Sequence, residues 1–260
     1  MSILQGKIHS TLGPSTASIR ILLINPNSTQ LFTEELVPVL SKSIPSNVKI
    51  DFVTAPSAAP RSIDNSEDGR LSTSVCEEYL DVHNEGGREI LQSYSSVIIA
   101  CFSQHPLVDS FRKAGQGVKG RKAITIGILD AGVYSALALG GKLGIATTGE
   151  QWESLFDTAI ETMGITKSRY AGTKGTGFDA ISLHGEGPTS ALLEASVNLV
   201  GRGAAVIVLG CGGMSAMREG LENSLNEKTQ SWIPVIDGVQ AAVDMAIGYA
   251  RMGVSPTLQS

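Results

Sequence analysis

The stretch "SSVIIACFSQHPL", residues 95–107, decides how the rest of the chain is read. Val97, Ile98, Ile99 and Ala100 form an apolar, β-branched run too short for a helix, which predicts a buried strand. Cys101 stands where that strand should end, and polar residues follow before a helix near 106–115. A strand apolar on both faces belongs to a parallel sheet covered by helices on each side.

The same cycle recurs along the chain. "IRILLI" (19–24) is a strand, followed by "NPNSTQ" and a helix from Thr29 to Ser41 with Ser28 or Thr29 as its N-cap. "VKIDFV" (48–53) is the next strand. The loop at 54–69 is too rich in Pro and Ser for regular structure. Helices are predicted at 67–84 and 87–94, then the opening strand. "KAITIGI" (122–128) starts another cycle, with a helix at 130–139, "KLGIAT" (142–147) and a helix at 150–164. A glycine-rich loop at 171–187, a helix at 189–202, "AAVIVLG" (204–210), a helix within 214–225, "WIPVID" (232–237) and a closing helix at 238–252 complete the reading. Alternation of this kind means an α/β fold.

An internal echo divides the chain. "IRILLINPNST" and "KLGIATTGE" each give a basic residue, an apolar strand, a polar turn and a helix. "SVIIACFS" and "AAVIVLGCGG" each give an apolar strand ending in or just before cysteine. The expected architecture is two pseudo-symmetric domains, each a parallel sheet flanked by helices. Residues 1–18 are expected to be a flexible N-terminal extension, 19–121 plus 238–260 the first domain, and 122–237 the second. The extension has no acidic residue and several hydroxyls, a composition shared with organellar presequences.

Bulk properties exclude several classes of partner. The chain has 260 residues, 42% hydrophobic and 17% charged, with 5% aromatic and a net charge of −5. Few aromatics and a negative balance argue against a nucleic-acid surface. No apolar run approaches the roughly 20 residues of a membrane helix. The three cysteines are scattered and odd in number, so no disulfide framework is expected and a reducing, cytoplasmic compartment is. No His, Cys or Asp set has metal-ligand spacing, and His9, His83, His105 and His184 do not cluster.

Two motifs fail in context. "GQGVKG" (115–120) spells a dinucleotide fingerprint, but a helix precedes it and a strand follows, the reverse of the required order. "GGMSAM" (212–217) follows a strand as a nucleophile elbow would. It lacks the final glycine, and no histidine follows His184 to complete a hydrolase triad.

The cysteines are more informative. Cys76 lies on an amphipathic helix beside Val75 and Leu80 and reads as core. Cys101 and Cys211 fall outside the carboxyl ends of their strands, where open α/β sheets gather ligands. Backbone N–H groups there favour the thiolate. Two such thiols, one from each half, suit proton removal from one face of a carbon and delivery to the other, a general acid–base inversion. Backbone donors after each cysteine (Phe102 and Ser103, Gly212 and Gly213) and hydroxyls of Ser103, Thr147 and Thr148 could hold the enolate oxygen.

At this point "ILLINPNST", "IIACFS", "GIATTG", "AAVIVLGCGGM" and "PVIDGV" resemble the aspartate/glutamate/hydantoin racemase superfamily, in particular its hydantoin and allantoin racemase branch. The similarity runs from about Ile19 to Ala250. It implies cofactor-independent racemisation by two cysteines, Cys101 and Cys211, in a cleft between two α/β domains. It also implies substrate contacts from Pro26, Asn27, Ser28, Phe102, Ser103, Thr147, Thr148, Gly212 and Gly213, with no metal. The implied substrate is a small cyclic ureide, a 5-substituted hydantoin or allantoin. Oligomers are common in the family, so a homo-oligomer is the expected partner. Many bacterial relatives read CF[SG]DPGL where this chain has "CFSQHPL", so Gln104 and His105 depart from the pattern, and His105 reads as a solvated loop residue. Three alternatives remain: a maleate-type isomerase, which keeps both cysteines; an amino-acid racemase, whose cationic grips the motif loops lack; and a non-catalytic ureide-binding regulator of nitrogen use.

Overall fold

Continuous apolar runs form strands buried on both faces, and their order builds two sheets. The computed structural model describes Leu4 and residues 6–120, 122–183 and 186–256. The chain divides into two compact units, Met1–Ile128 with Ala242–Ser260, and Leu129–Ala241.

The first unit contains β1 (Ile8–Leu12), β2 (Ile19–Asn25), α1 (Gln30–Ser41), β3 (Val48–Thr54), α2 (Ser66–Leu80), α3 (Glu85–Ser93), β4 (Ser96–Ile99), α4 (Pro106–Gln116) and β5 (Ile124–Gly127). Its sheet runs β1-β3-β2-β4-β5, with β1 antiparallel and the rest parallel. Leu22, Ile24, Val97 and Ile99 on the central strands pack with Cys76, Leu107 and Phe111 from the helices.

In the second unit, α5 (Ile128–Ala138) leads into β6 (Lys142–Thr147), α6 (Gln151–Thr162), β7 (Tyr170–Gly175), α7 (Glu186–Gly201), β8 (Ala204–Leu209), α8 (Arg218–Thr229) and β9 (Val235–Asp237), and α9 (Gly238–Arg251) carries the chain back into the first unit from Ala242. Short 3-10 turns occupy Ala180–Ser182 and Gly212–Met217. The sheet runs β7-β6-β8-β9, all parallel. Leaving out β1, each unit orders its strands second, first, third, fourth. The two halves therefore share one topology, which is the physical content of the sequence echo.

Four expectations need correction. Residues 1–18 are not merely a flexible extension, because Ile8–Leu12 pairs antiparallel with β3. Gly13 makes the approach with φ +92°, where an added Cβ would fall 2.1 Å from the Val48 carbonyl oxygen. Thr11 donates to buried Asp51 at 2.8 Å, as does the Tyr94 hydroxyl at 2.9 Å. Burial opposes ionisation of Asp51, but hydrogen bonds from Lys49, Thr11 and Tyr94 outweigh it and hold the carboxyl below its ordinary range. Such an edge strand, polar and half-exposed, lacks the apolar run that announces a central one.

The second correction concerns "KAITIGI". Its strand β5 pairs with β4 and completes the first sheet rather than opening the second. The division between units falls after Ile128, not after 121. Third, the glycine-rich stretch holds β7, the outer strand of the second sheet. Tyr170 to Gly172 are only half-buried, so no hydrophobic run marks it. The fourth correction, His105, belongs with the site below. Gly86 and Gly87, where the second of the predicted helices begins, lie in the first turn of α3. Added Cβ atoms there would sit 2.1 and 1.8 Å from the Leu80 and Val82 carbonyl oxygens, so only glycine permits this turn.

No helix among the described residues is long and apolar enough to cross a membrane.

Candidate active site

In both sheets the strand order reverses between the first and third strands, the switch point outside which open α/β sheets bind ligands. The first unit brings the end of β2 beside the end of β4, with Ile24 paired to Ile99 and the Ala100 N–H donating to the Ile24 carbonyl at 2.9 Å. Pro26, Asn27 and Ser28 therefore neighbour Cys101, Phe102 and Ser103. The second unit does the same with β6 and β8, the Gly210 N–H donating to Ala146 at 2.7 Å. Thr147 and Thr148 thus neighbour Cys211, Gly212 and Gly213.

The turn after β2 is organised by a residue the sequence reading passed over. Asn25, 2% exposed, donates from Nδ2 to Asn27 Oδ1 at 3.2 Å, the Thr29 carbonyl at 3.1 Å and Thr33 Oγ1 at 3.1 Å. Its Oδ1 accepts from the Asn27 N–H at 3.2 Å. Asn27 Oδ1 also accepts from the Thr29 N–H at 2.9 Å, so the amide group of Asn27 is left to offer its Nδ2 donors. An asparagine ending a fully buried strand was the available signal, since an amide there must find local partners. Ser28 is tied down, its hydroxyl donating to Ala59 at 2.9 Å and its N–H to Pro60 at 2.9 Å. Ser72 on α2 supports the turn by donating to the Pro26 carbonyl at 2.6 Å. Thr29 begins α1 but spends its hydroxyl on the Arg61 carbonyl instead of capping.

Cys101 is partly exposed and its Sγ lies 3.4 Å from Ser103 Oγ. The Ser103 N–H turns back to the Cys101 carbonyl at 3.0 Å. Phe102 is buried, so its side chain anchors the loop in the core. The helix α4 starts only at Pro106, five residues beyond the thiol. His105 is its N-cap, accepting from the Leu107 N–H through Nδ1 at 3.3 Å. Contrary to the solvated-loop expectation, His105 is 2% exposed, and burial pushes its imidazole down to about 4. Packing beneath the loop explains the difference, since the sequence alone cannot show which side of a loop is covered.

Cys211 is also partly exposed, and it is itself the residue that opens the 3-10 turn Gly212–Met217. The Met214 N–H donates to its carbonyl at 3.1 Å. The N–H groups of Gly212 and Gly213 start this turn, where amides have no partner within the helix. Thr147 is fully buried and its hydroxyl donates to the Gly210 carbonyl at 3.0 Å. Its role is thus to hold the cysteine loop. Thr148 is 3% exposed, and its carbonyl accepts from Thr176 at 2.7 Å and Gly177 at 3.2 Å. An added Cβ on Gly210 would meet Thr147 Cβ at 2.6 Å, so a side chain here must push the threonine or the loop aside.

The third thiol is different. Cys76 is fully buried on α2, and burial pushes it up to about 12. His9 lies on β1 and His83 follows α2, bonded to Glu77 at 3.0 Å, while His184 lies outside the described residues. Among the described residues no group of three or more His, Cys, Asp or Glu is placed to hold a metal ion. "GQGVKG" closes α4 and runs toward β5, as its order implied.

The sequence pattern of the Asp/Glu/hydantoin racemase family matches residues 21–246. The chain belongs to that family. Among relatives of this racemase-family enzyme, an uncharacterised Schizosaccharomyces pombe protein is 35% identical over 93% of this chain and 96% of its own length. A hydantoin racemase from Rhizobium meliloti is 28% identical, covering 91% and 93% of the two chains. The solved allantoin racemase from Klebsiella pneumoniae is 26% identical with a TM-score of 0.75, covering 92% of this chain and 91% of that one. The hydantoin and allantoin branch of the family thus provides both sequence and structural neighbours.

Proposed function

We propose that the chain is a cofactor-independent racemase of a cyclic ureide, allantoin or a 5-substituted hydantoin, with Cys101 and Cys211 as its two acid–bases. The observation that supports this reading is the matched placement of one thiol at the switch point of each of two sheets with the same strand order. The named relatives support the substrate class.

In this mechanism one cysteine, as thiolate, takes the proton from the ring carbon beside the carbonyl. The bonding electrons move into an enolate, and the other cysteine, as thiol, protonates the opposite face. The two thiols exchange protonation states in each turnover and return to their starting forms by exchange with solvent. The ring C–H is acidified by its carbonyl and nitrogen neighbours, so the protein's task is to hold the developing oxyanion. Asn27 Nδ2 and the N–H groups of Gly212 and Gly213 would serve as donors, with Pro26, Ser28, Phe102, Ser103, Thr147 and Thr148 shaping and fixing the loops. No cationic side chain lies in these segments, which suits a neutral ring better than a free carboxylate. Free thiols of this kind persist in a reducing compartment, the cytoplasm.

Single enantiomers of allantoin and of several 5-substituted hydantoins, incubated with the protein in heavy water, test the reading. Loss of optical rotation with one deuterium entering the product at the ring carbon is expected. Binding without either change would overturn it.

A further inference from the structure

The Cys211 loop is fastened from both neighbouring strands of its sheet, and one fastening has no counterpart in the mechanism above. On the β6 side, Thr147 Oγ1 holds the Gly210 carbonyl. On the β9 side, Ser215 Oγ lies 2.9 Å from the Gly212 carbonyl and 2.9 Å from Asp237 Oδ1. Asp237, 4% exposed, ends β9 and accepts the Val239 N–H at 3.1 Å and the Gln240 N–H at 3.2 Å, so it also begins α9. Its carboxylate is therefore immobilised by three donors from two segments. Ser215 is equally buried, 5% exposed. The carbonyls on either side of Cys211 are thus pinned, one by a threonine and one by a serine that a buried carboxylate holds.

We propose that Ser215 and Asp237 are positioning residues for Cys211, clamping the Gly212 carbonyl to the end of β9 so that the thiol and the following N–H groups keep one orientation. This rests on the reading of Cys211 as an acid–base. A side chain that bonds the residue after a catalytic thiol fixes where that thiol and its adjoining donors point. Displacements of about 1 Å at reacting groups can cost on the order of 100-fold in rate. The hydroxyl carries one hydrogen and faces two acceptors, and burial raises the Asp237 carboxyl above its ordinary value. That single hydrogen is shared between the Gly212 carbonyl and Asp237 Oδ1, so losing either acceptor changes how the hydroxyl is held.

The test uses the full chain with Ser215→Ala, Ser215→Thr and Asp237→Asn, and two readouts. One is racemisation of single-enantiomer allantoin. The other is the iodoacetamide alkylation rate of Cys101 and Cys211, resolved by peptide mass spectrometry. Ser215→Ala is expected to lower kcat by about tenfold with KM within about threefold, and to change the Cys211 rate at least about threefold while Cys101 stays unchanged. Ser215→Thr, which keeps the hydroxyl, should restore both. Asp237→Asn should follow Ser215→Ala in direction. Wild-type values for kcat and the Cys211 rate in Ser215→Ala would overturn the proposal, as would equal changes at both thiols with a lowered Tm. If no ureide is racemised by the wild type yet only Cys211 responds to Ser215→Ala, the positioning role stands and the racemase reading falls.

Discussion

The two thiol-bearing strand ends occupy one topological position and are built differently. After β4 the thiol rests against a neighbouring hydroxyl, Ser103 Oγ at 3.4 Å, and the loop runs on past buried Phe102 and His105 before α4 begins. After β8 the turn starts at the cysteine itself, and pins from both flanking strands hold its backbone. A repeated strand order therefore fixes where a thiol sits without fixing how it is held. The first thiol depends on a side chain beside it, the second on carbonyls clamped around it.

The largest expected effect treats the two ends alike. Cys101→Ser and Cys211→Ser should each lower racemisation by about 10² to 10⁴-fold, the usual contribution of a positioned acid–base. A variant with full activity would show that one thiol suffices and would break the comparison at its root. Kinetics on each enantiomer, with folding checked by circular dichroism, decides it.

Next comes an effect confined to the first end. Burial lowers the His105 imidazole to about 4, whereas an unfolded histidine titrates near 6.5. Between those values the unfolded chain takes up a proton that the folded chain refuses, so stability falls as pH falls. The loss reaches up to about 3 kcal/mol and is absent above about pH 7. His105→Asn keeps a capping oxygen and removes the titration. Its urea-unfolding free energy should fall less than the wild type's from pH 7 to pH 4, and parallel curves would refute the assignment.

The second end should be the more sensitive to added bulk. Gly210→Ala places a methyl against Thr147, costing about 1–3 kcal/mol by overpacking. Thermal unfolding measures that, and an unchanged Tm would mean the loop moves freely. The smallest effect belongs to Ser103→Ala. Removing this hydroxyl should lower Cys101 alkylation and kcat by about threefold to tenfold, corresponding to one hydrogen bond of about 1 kcal/mol. Cys211 should keep its rate.

The sequence disclosed central strands better than edges. β2, β4, β6 and β8 are uninterrupted apolar runs because both their faces are covered, and each was visible within a residue or two. β1 and β7 were missed because an outer, half-exposed strand mixes Ser, Thr and Gly into its pattern. The sheet that β5 joins is a tertiary fact, and periodicity carries no trace of it. Both partly exposed thiols lie where the internal echo put them, beside the turns named with them. Their supports were hidden for a different reason: Ser215 meets Asp237 across 22 residues, and Asn25 was overshadowed by the Pro-Asn pair behind it. An Asp or Asn closing a buried strand, just before a turn or helix, was the clue available in both cases.

Cys76 has a practical consequence. With its thiol raised to about 12, only about one molecule in ten thousand carries the thiolate there at pH 8. Alkylating reagents will therefore count two sulfurs in the native chain and three only after α2 has lifted from the first sheet. The protein carries its own gauge of integrity, against which every measurement on the other two thiols can be read.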